Sequence, residues 1–234
     1  MNKIKNITRA LYMVELLKLL KRNYSWAEIS MELNESPTTL SRYLHGHVIP
    51  SDKKMDKLIP VLERIARLDR EVYKRIRRDR RSGFIDNLKL IGDVNLLKLV
   101  ALKYASEFHG RVDLVVSPAA DGIPFATLIA EYLGLDLVIV KNRREVGVYN
   151  YVEGLHIGED GDVEILYMPR RLVKKGYRVL IVDDVIRTGG THRAIVEMIE
   201  KVGARVEAIL VILVLGDRWE SVLPNTPVIG LLRL

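Results

Sequence analysis

The chain contains no cysteine and no glutamine, and only 6% of its residues are aromatic. Without thiols there is no disulfide, no thiolate nucleophile and no cysteine-liganded zinc or iron–sulfur centre. Long apolar runs are also missing. The longest, Ala208–Leu215, falls far short of the roughly 20 residues needed to span a bilayer. The first residues, Met1-Asn2-Lys3-Ile4-Lys5, lead into an amphipathic pattern rather than a signal-peptide core. These absences predict a soluble, cytoplasmic protein with no membrane partner. What remains is a chain of 234 residues, 48% hydrophobic and 29% charged, the balance of one large globular domain or two small ones. The scarcity of thermolabile side chains beside abundant charge predicts high thermal stability.

The net charge of +7 is unevenly placed. Residues 1–82 hold 19 Lys and Arg against 10 Asp and Glu, whereas residues 83–234 hold 18 against 20. A basic module attached to a near-neutral one suggests a polyanion partner for the first third, although a Lys/Arg-rich solvated surface gives the same count.

Local patterns in that first third are helical. Ile7, Leu11, Val14, Leu17 and Leu20 mark one face of an amphipathic helix over Ile7–Arg22. Ser25-Trp26-Ala27-Glu28 is a capping box opening a second helix through Leu33, and Asn34 suits a left-handed turn. Ser36-Pro37 opens a third, which His45-Gly46 stops. This is a helix-turn-helix pattern. Leu40, Tyr43 and Leu44 are expected to face the bundle, leaving Thr38, Thr39, Ser41, Arg42 and His45 for DNA, with Lys53 and Lys54 for phosphates. A fourth helix is predicted from Ser51-Asp52, with Pro60 resetting the next. That next helix carries a coiled-coil-like stripe Val61, Ile65, Leu68, Val72, Ile76 and ends in the basic run Lys74–Arg81. The boundary is placed at Ser82/Gly83, giving residues 1–82 as the helical DNA-binding domain with a connector and residues 83–234 as a second domain.

Beyond the boundary, β-rich runs (Val112–Ser117, Leu135–Val140, Arg178–Asp184, Val206–Leu215) alternate with helical stretches (Val94–Phe108, Ile123–Leu133, Thr191–Val202). Such alternation predicts βαβ units, hence an α/β fold with a parallel sheet flanked by helices. Two longer polar loops, Asn142–Asp162 and Gly216–Pro227, interrupt it.

The chemistry is concentrated in Val179-Leu180-Ile181-Val182-Asp183-Asp184-Val185-Ile186-Arg187-Thr188-Gly189-Gly190-Thr191. Apolar β-formers deliver two carboxylates to the C-terminal end of a strand, where open α/β sheets bind ligands. Thr188-Gly189-Gly190-Thr191 then turns into a helix whose N-terminal amides, with the threonine hydroxyls, suit a phosphate. The acids suit hydroxyl groups or a metal, and a phosphorylated sugar satisfies both ends.

This run resembles the 5-phosphoribosyl-1-pyrophosphate (PRPP) signature of the type I phosphoribosyltransferases, and the resemblance covers roughly residues 90–234. It implies that family's fold, with Asp183 and Asp184 holding the ribose hydroxyls and Arg187 to Thr191 wrapping the 5-phosphate. Mg2+ would sit mainly on the substrate's own oxygens rather than on protein ligands. Ser117-Pro118-Ala119-Ala120-Asp121-Gly122 is similar to the family's pyrophosphate loop in its orotate-type form, with Asp121 where that form has lysine. By the same resemblance Lys141 contacts pyrophosphate, and Arg143 and Arg144 open a loop that closes over the substrate. The stretches Tyr149–Gly154 and Gly216–Leu232 resemble purine-type members, among them adenine and xanthine phosphoribosyltransferases and the bacterial purine repressor.

The implied reaction joins a purine base to PRPP, forming a nucleoside monophosphate and pyrophosphate, with Asp183, Asp184 and Lys141 as the catalytic set. The alternative is a catalytically silent PRPP-sensing transcription regulator. Trp219 has two readings, base stacking or packing, and His192 is expected to face solvent or to pack. A homodimer is expected by analogy with the family.

Overall fold

The computed structural model describes residues 2–79, 84–158 and 161–234. The Ser82/Gly83 boundary and the end of the basic run at Arg80-Arg81 lie outside the described residues.

Five helices come first: α1 (Asn2–Lys21), α2 (Trp26–Leu33), α3 (Pro37–Leu44), α4 (Asp52–Ala66) and α5 (Leu68–Tyr73). The capping box at Ser25 forms in full, and Ser36 caps α3 through the Thr39 amide with Pro37 in its first turn. Asn34 takes the left-handed conformation, φ 50°, that turns α2 towards α3. Leu40 and Tyr43 are buried as expected, and the Ser30 hydroxyl donates to the Glu35 carbonyl across the turn.

Three details differ from the sequence reading. Pro60 does not reset the helix: α4 runs through it. Proline forfeits one helical hydrogen bond, at about 3 kcal/mol, and burial of Met55, Leu58 and Leu62 on either side opposes that cost. The break falls at Arg67, φ 47°, so the Val61–Ile76 stripe is divided between α4 and α5, with Leu58, Leu62 and Ala66 buried instead of Val61 and Ile65. In α1 the buried positions are Thr8, Ala10, Tyr12, Met13, Leu16, Leu17 and Leu20, whereas Ile7 and Leu11 remain exposed. A helix wedged between α4 and a second partner follows both contacts rather than its own best stripe.

A two-stranded antiparallel connector, β1 (Arg77–Arg78) with β2 (Ile85–Asp86), leads to α6 (Leu88–Ile91) and α7 (Val94–Phe108). The main sheet then forms from β3 (Leu114–Pro118), β4 (Leu137–Val140), β7 (Arg178–Ile186), β8 (Arg205–Val214) and β9 (Val228–Arg233), all parallel in the order β4-β3-β7-β8-β9. Helices α8 (Ile123–Leu133), α9 (Gly190–Lys201) and the short α10 (Arg218–Val222) connect them. The expected polar loop Asn142–Asp162 is a loop only in its first half. Tyr151–Ile157 (β5) pairs antiparallel with β6 (Val163–Pro169), and Val152, Leu166 and Met168 pack behind the pair. Gly216–Pro227 likewise contains α10.

Strand alternation sorts the core. Leu180 and Val182 of β7 point to the side covered by α7, α8 and the N-terminal helices, whereas Val179 and Ile181 point to the side covered by α9 and the β5–β6 hairpin. The first cluster runs without a gap from Leu16 and Leu17 of α1 to Leu97 and Val100 of α7. Lys98 reaches Glu15 at 2.9 Å and Lys103 pairs with Glu63 across the same seam. Among the described residues no helix is long and apolar enough to cross a membrane.

Candidate functional site

In the sheet order, successive strands leave β3 in one direction (to β4) and β7 in the other (to β8 and β9). The crevice between the carboxyl ends of β3 and β7 is therefore the topological switch point, where such sheets bind ligands. Pairing between these strands ends at Val116 and Ile181, so the chains diverge just below Asp183. The opening is a cavity of about 530 Å³ lined by Pro118–Asp121, Asp183–Val185, Arg187–His192, and Ile85 and Asn87 of the connector.

Alternation along β7 places neighbouring acids on opposite faces. Asp183 follows Ile181 towards α9, and its Oδ2 lies 3.1 Å from Nε2 of His192. Its Oδ1 accepts the Asp184 amide at 2.9 Å. A Cβ at Gly122 would stand 2.3 Å from Asp183 Oδ1, so only glycine lets the two loops approach this closely. Asp184 follows Val182 towards the other face, where Asn87 donates its side-chain amide to Oδ2. Burial, then the adjacent Asp183 charge, pushes the Asp184 carboxyl up to about 8, and Asp121 adds to the effect. Asp184 therefore holds its proton far more tightly than an ordinary carboxyl.

The loop after β7 behaves as its composition suggests. Gly189 has φ 80°, and Gly190 begins α9 with no room for a side chain, because a Cβ there would meet the His156 ring at 2.8 Å. The amides of the first turn of α9 consequently open on the same cavity as the acids. Across the crevice Ala119, Ala120 and Asp121 are exposed at its mouth, and the Ala119–Ala120 peptide bond is cis.

Three residues of the sequence-derived set stand apart. Lys141 is tied by backbone bonds to Tyr167 of β6 and its Nζ pairs with Glu145. Arg144 pairs with Glu153 and lies 5.3 Å over the Tyr167 ring, and Arg143 is exposed. All three follow the edge strand β4, which the hairpin captures on the far side of β3 from β7. Of the other set, Thr38, Arg42, His45 and Lys53 are exposed and Thr39 and Ser41 half-buried, whereas Lys54 is taken up by an ion pair with Glu35. Trp219 is buried, donating to the Gly216 carbonyl at 3.2 Å, which makes it a packing residue.

Two contributors escaped the sequence reading. Asn87 belongs to the connector, ahead of any recognisable pattern. His192 packs, as one of its two readings allowed, being only 4% exposed, but its approach to Asp183 was not read from the sequence. His192, Ile195, Val196 and Ile199 form an i, i+3, i+4, i+7 stripe, the buried face of α9. Among the described residues no group of three or more His, Asp or Glu side chains is arranged to hold a metal ion.

Comparison with known proteins agrees with this geometry. The phosphoribosyl transferase domain model matches residues 95–226. The chain belongs to the phosphoribosyl transferase family. A helix-turn-helix model matches residues 15–64, so the family domain is preceded here by a helix-turn-helix region. The chain is 38% identical over 136 residues to the hypoxanthine/guanine phosphoribosyltransferase of Methanothermococcus okinawensis, covering 56% of this chain and 69% of that one. It is 29% identical over 130 residues to the purine biosynthesis transcriptional repressor PurR of Bacillus subtilis, covering 55% of this chain and 46% of that one. The adenine phosphoribosyltransferase of Thermoanaerobacter pseudethanolicus superposes with a TM-score of 0.62 at 25% identity, over 70% of this chain and 99% of that chain. The expected phosphoribosyltransferase fold with an N-terminal helix-turn-helix region is thus borne out.

Proposed function

We propose that the crevice between β3 and β7 binds PRPP and transfers its phosphoribosyl group to a purine base, and that the helix-turn-helix region binds DNA. The observation that supports this best is the convergence of the acid pair and the glycine loop on one cavity. A volume of about 530 Å³ is that of a small-ligand site. Arg187 to Thr191 would hold the 5-phosphate on the α9 N-terminus, Asp183 and Asp184 the ribose hydroxyls, and Ala119 to Gly122 the pyrophosphate. Carboxylates beside the ribose favour positive charge developing at its C1 as pyrophosphate departs. Lys141, Arg143 and Arg144 would reach the ligand only if their loop folds over it, which would exclude water from C1.

Magnesium fits the donor set, since the carboxyl oxygens of Asp121, Asp183 and Asp184 at the crevice are hard donors. Held mainly on the oxygens of the ligand, it would neutralise the leaving pyrophosphate beside Asp121. A pyrophosphate-release assay with PRPP, Mg2+ and each of adenine, hypoxanthine, guanine, xanthine and orotate tests the proposal, with turnover expected for a purine.

The second reading, a PRPP sensor without turnover, is favoured by the connector. The segment joining the helix-turn-helix region to the sheet supplies Ile85 and Asn87 to the cavity wall, so occupancy has a direct route to the DNA-binding helices. PRPP binding without turnover on any base would establish it, as would DNA affinity that changes when PRPP is added. In either reading the expected assembly is a two-fold dimer in the cytoplasm, whose paired helix-turn-helix regions match a palindromic site.

A further inference from the structure

His192 sits in the first turn of α9 with its ring buried, its Nε2 directed at Asp183, and no hydrogen bond of good geometry made by that nitrogen. Buried ring nitrogens normally find partners, and one left unmatched beside a ligand cavity marks a contact completed during function. Its surroundings narrow the possibilities. Ala194, Ile195, Val179 and Ile181 on the same side of the sheet are apolar, and Asp183 Oδ2 at 3.1 Å is the acceptor that Nε2 faces.

We propose that His192 is a positioning residue for the PRPP site, its Nε2–H closing on Asp183 Oδ2 and fixing the plane of that carboxylate so that it meets the ribose hydroxyls. Asp183 is then held on two sides, by the Asp184 amide at Oδ1 and by His192 at Oδ2. Gly122 closes a third side. Restricting a carboxylate in this way lowers the ordering cost of ligand binding. The assignment rests on the PRPP reading above. Because the side chain of His192 is directed at Asp183, the effect proposed for it is on the group that would hold the pentose.

The test uses the full chain with His192→Met, which keeps bulk and removes the donor, and His192→Gln, which restores an N–H near the Nε2 position. Calorimetry with Mg2+ is expected to show PRPP affinity falling about tenfold or more in His192→Met. Affinity should return to within about threefold of wild type in His192→Gln, with pyrophosphate alone bound equally by all three proteins. A packing role would give the opposite order, with His192→Met close to wild type. Equal PRPP affinity in wild type and His192→Met, or no rescue by glutamine, overturns the proposal.

An independent measurement covers the case in which wild type binds no PRPP, an outcome that removes the ligand reading but leaves the contact open to decision. In imidazole nitrogen NMR of the free protein, His192 should be protonated at Nε2, with a signal that moves in Asp183→Asn. A His192 lacking that proton, or indifferent to Asp183→Asn, overturns the positioning role.

Discussion

Asn87, from the connector behind the helix-turn-helix region, donates its side-chain amide to Asp184 at the end of the central strand, across 97 positions of sequence. The connector and the central strand of the sheet therefore meet on one carboxyl group. Replacing this donor by a further acid, Asn87→Asp, sets a carboxylate against Asp184 and should raise its proton affinity further. Calorimetry at neutral pH is expected to give PRPP binding at least about tenfold weaker, with recovery as pH rises.

The Asp184 carboxyl, raised to about 8 by burial and by Asp183, makes stability depend on pH. Its pKa is higher folded than unfolded, so the folded state takes up a proton. The corresponding stability is complete below the unfolded value near 4 and is lost as pH rises through about 8. Ligand-free protein should accordingly melt at a lower temperature at pH 8.5 than at pH 5.5, by about 3 °C or more. Asp184→Asn, which needs no proton, should flatten this dependence and abolish PRPP binding. Equal melting curves for wild type and variant across that range would refute the assignment.

Gly122 lies against Asp183 with no room for a side chain. In Gly122→Ala the new methyl would meet Asp183 at both Oδ1 and Cα, the latter backbone and unable to swing aside. Overpacking of this kind costs about 1–3 kcal/mol. Denaturant unfolding should show a loss in that range together with loss of PRPP binding, whereas alanine at the exposed Gly147, where a Cβ meets nothing, strains the loop backbone without touching the site.

For DNA, the structure separates two adjacent lysines. Lys53 is exposed, whereas Lys54 is held by Glu35. Lys53→Ala should weaken DNA binding and reduce the salt dependence by roughly one counterion, and Lys54→Ala should change it little. Arg42→Ala should weaken binding most, since Arg42 lies exposed on α3 beside the buried Tyr43. Fluorescence anisotropy with a genomic fragment over a salt series checks all three.

Much of this was legible locally. The Ser25 capping box, Asn34 in its turn, the run Val179–Asp184 and the glycine loop are dictated by neighbours in sequence. Hydrogen bonds to the next turn and strand alternation require nothing distant. The reading failed where an element had two partners, as in α1, or where polar residues and a glycine interrupt a strand, as in β5, whose Glu153 and His156 flank a Gly154 buried against α9.

By itself the sequence determined which residues carry charge at a strand end, which turn can cradle a phosphate and where helices start, because these follow from backbone geometry within a few residues. Only the tertiary structure decided that Asp183 and Asp184 face opposite helices, that His192 and Asn87 are their partners, and that Lys141 is drawn to an edge hairpin. Those outcomes depend on which surfaces pack together, and burial between distant segments fixes both the neighbours of the acid pair and the raised proton affinity of Asp184.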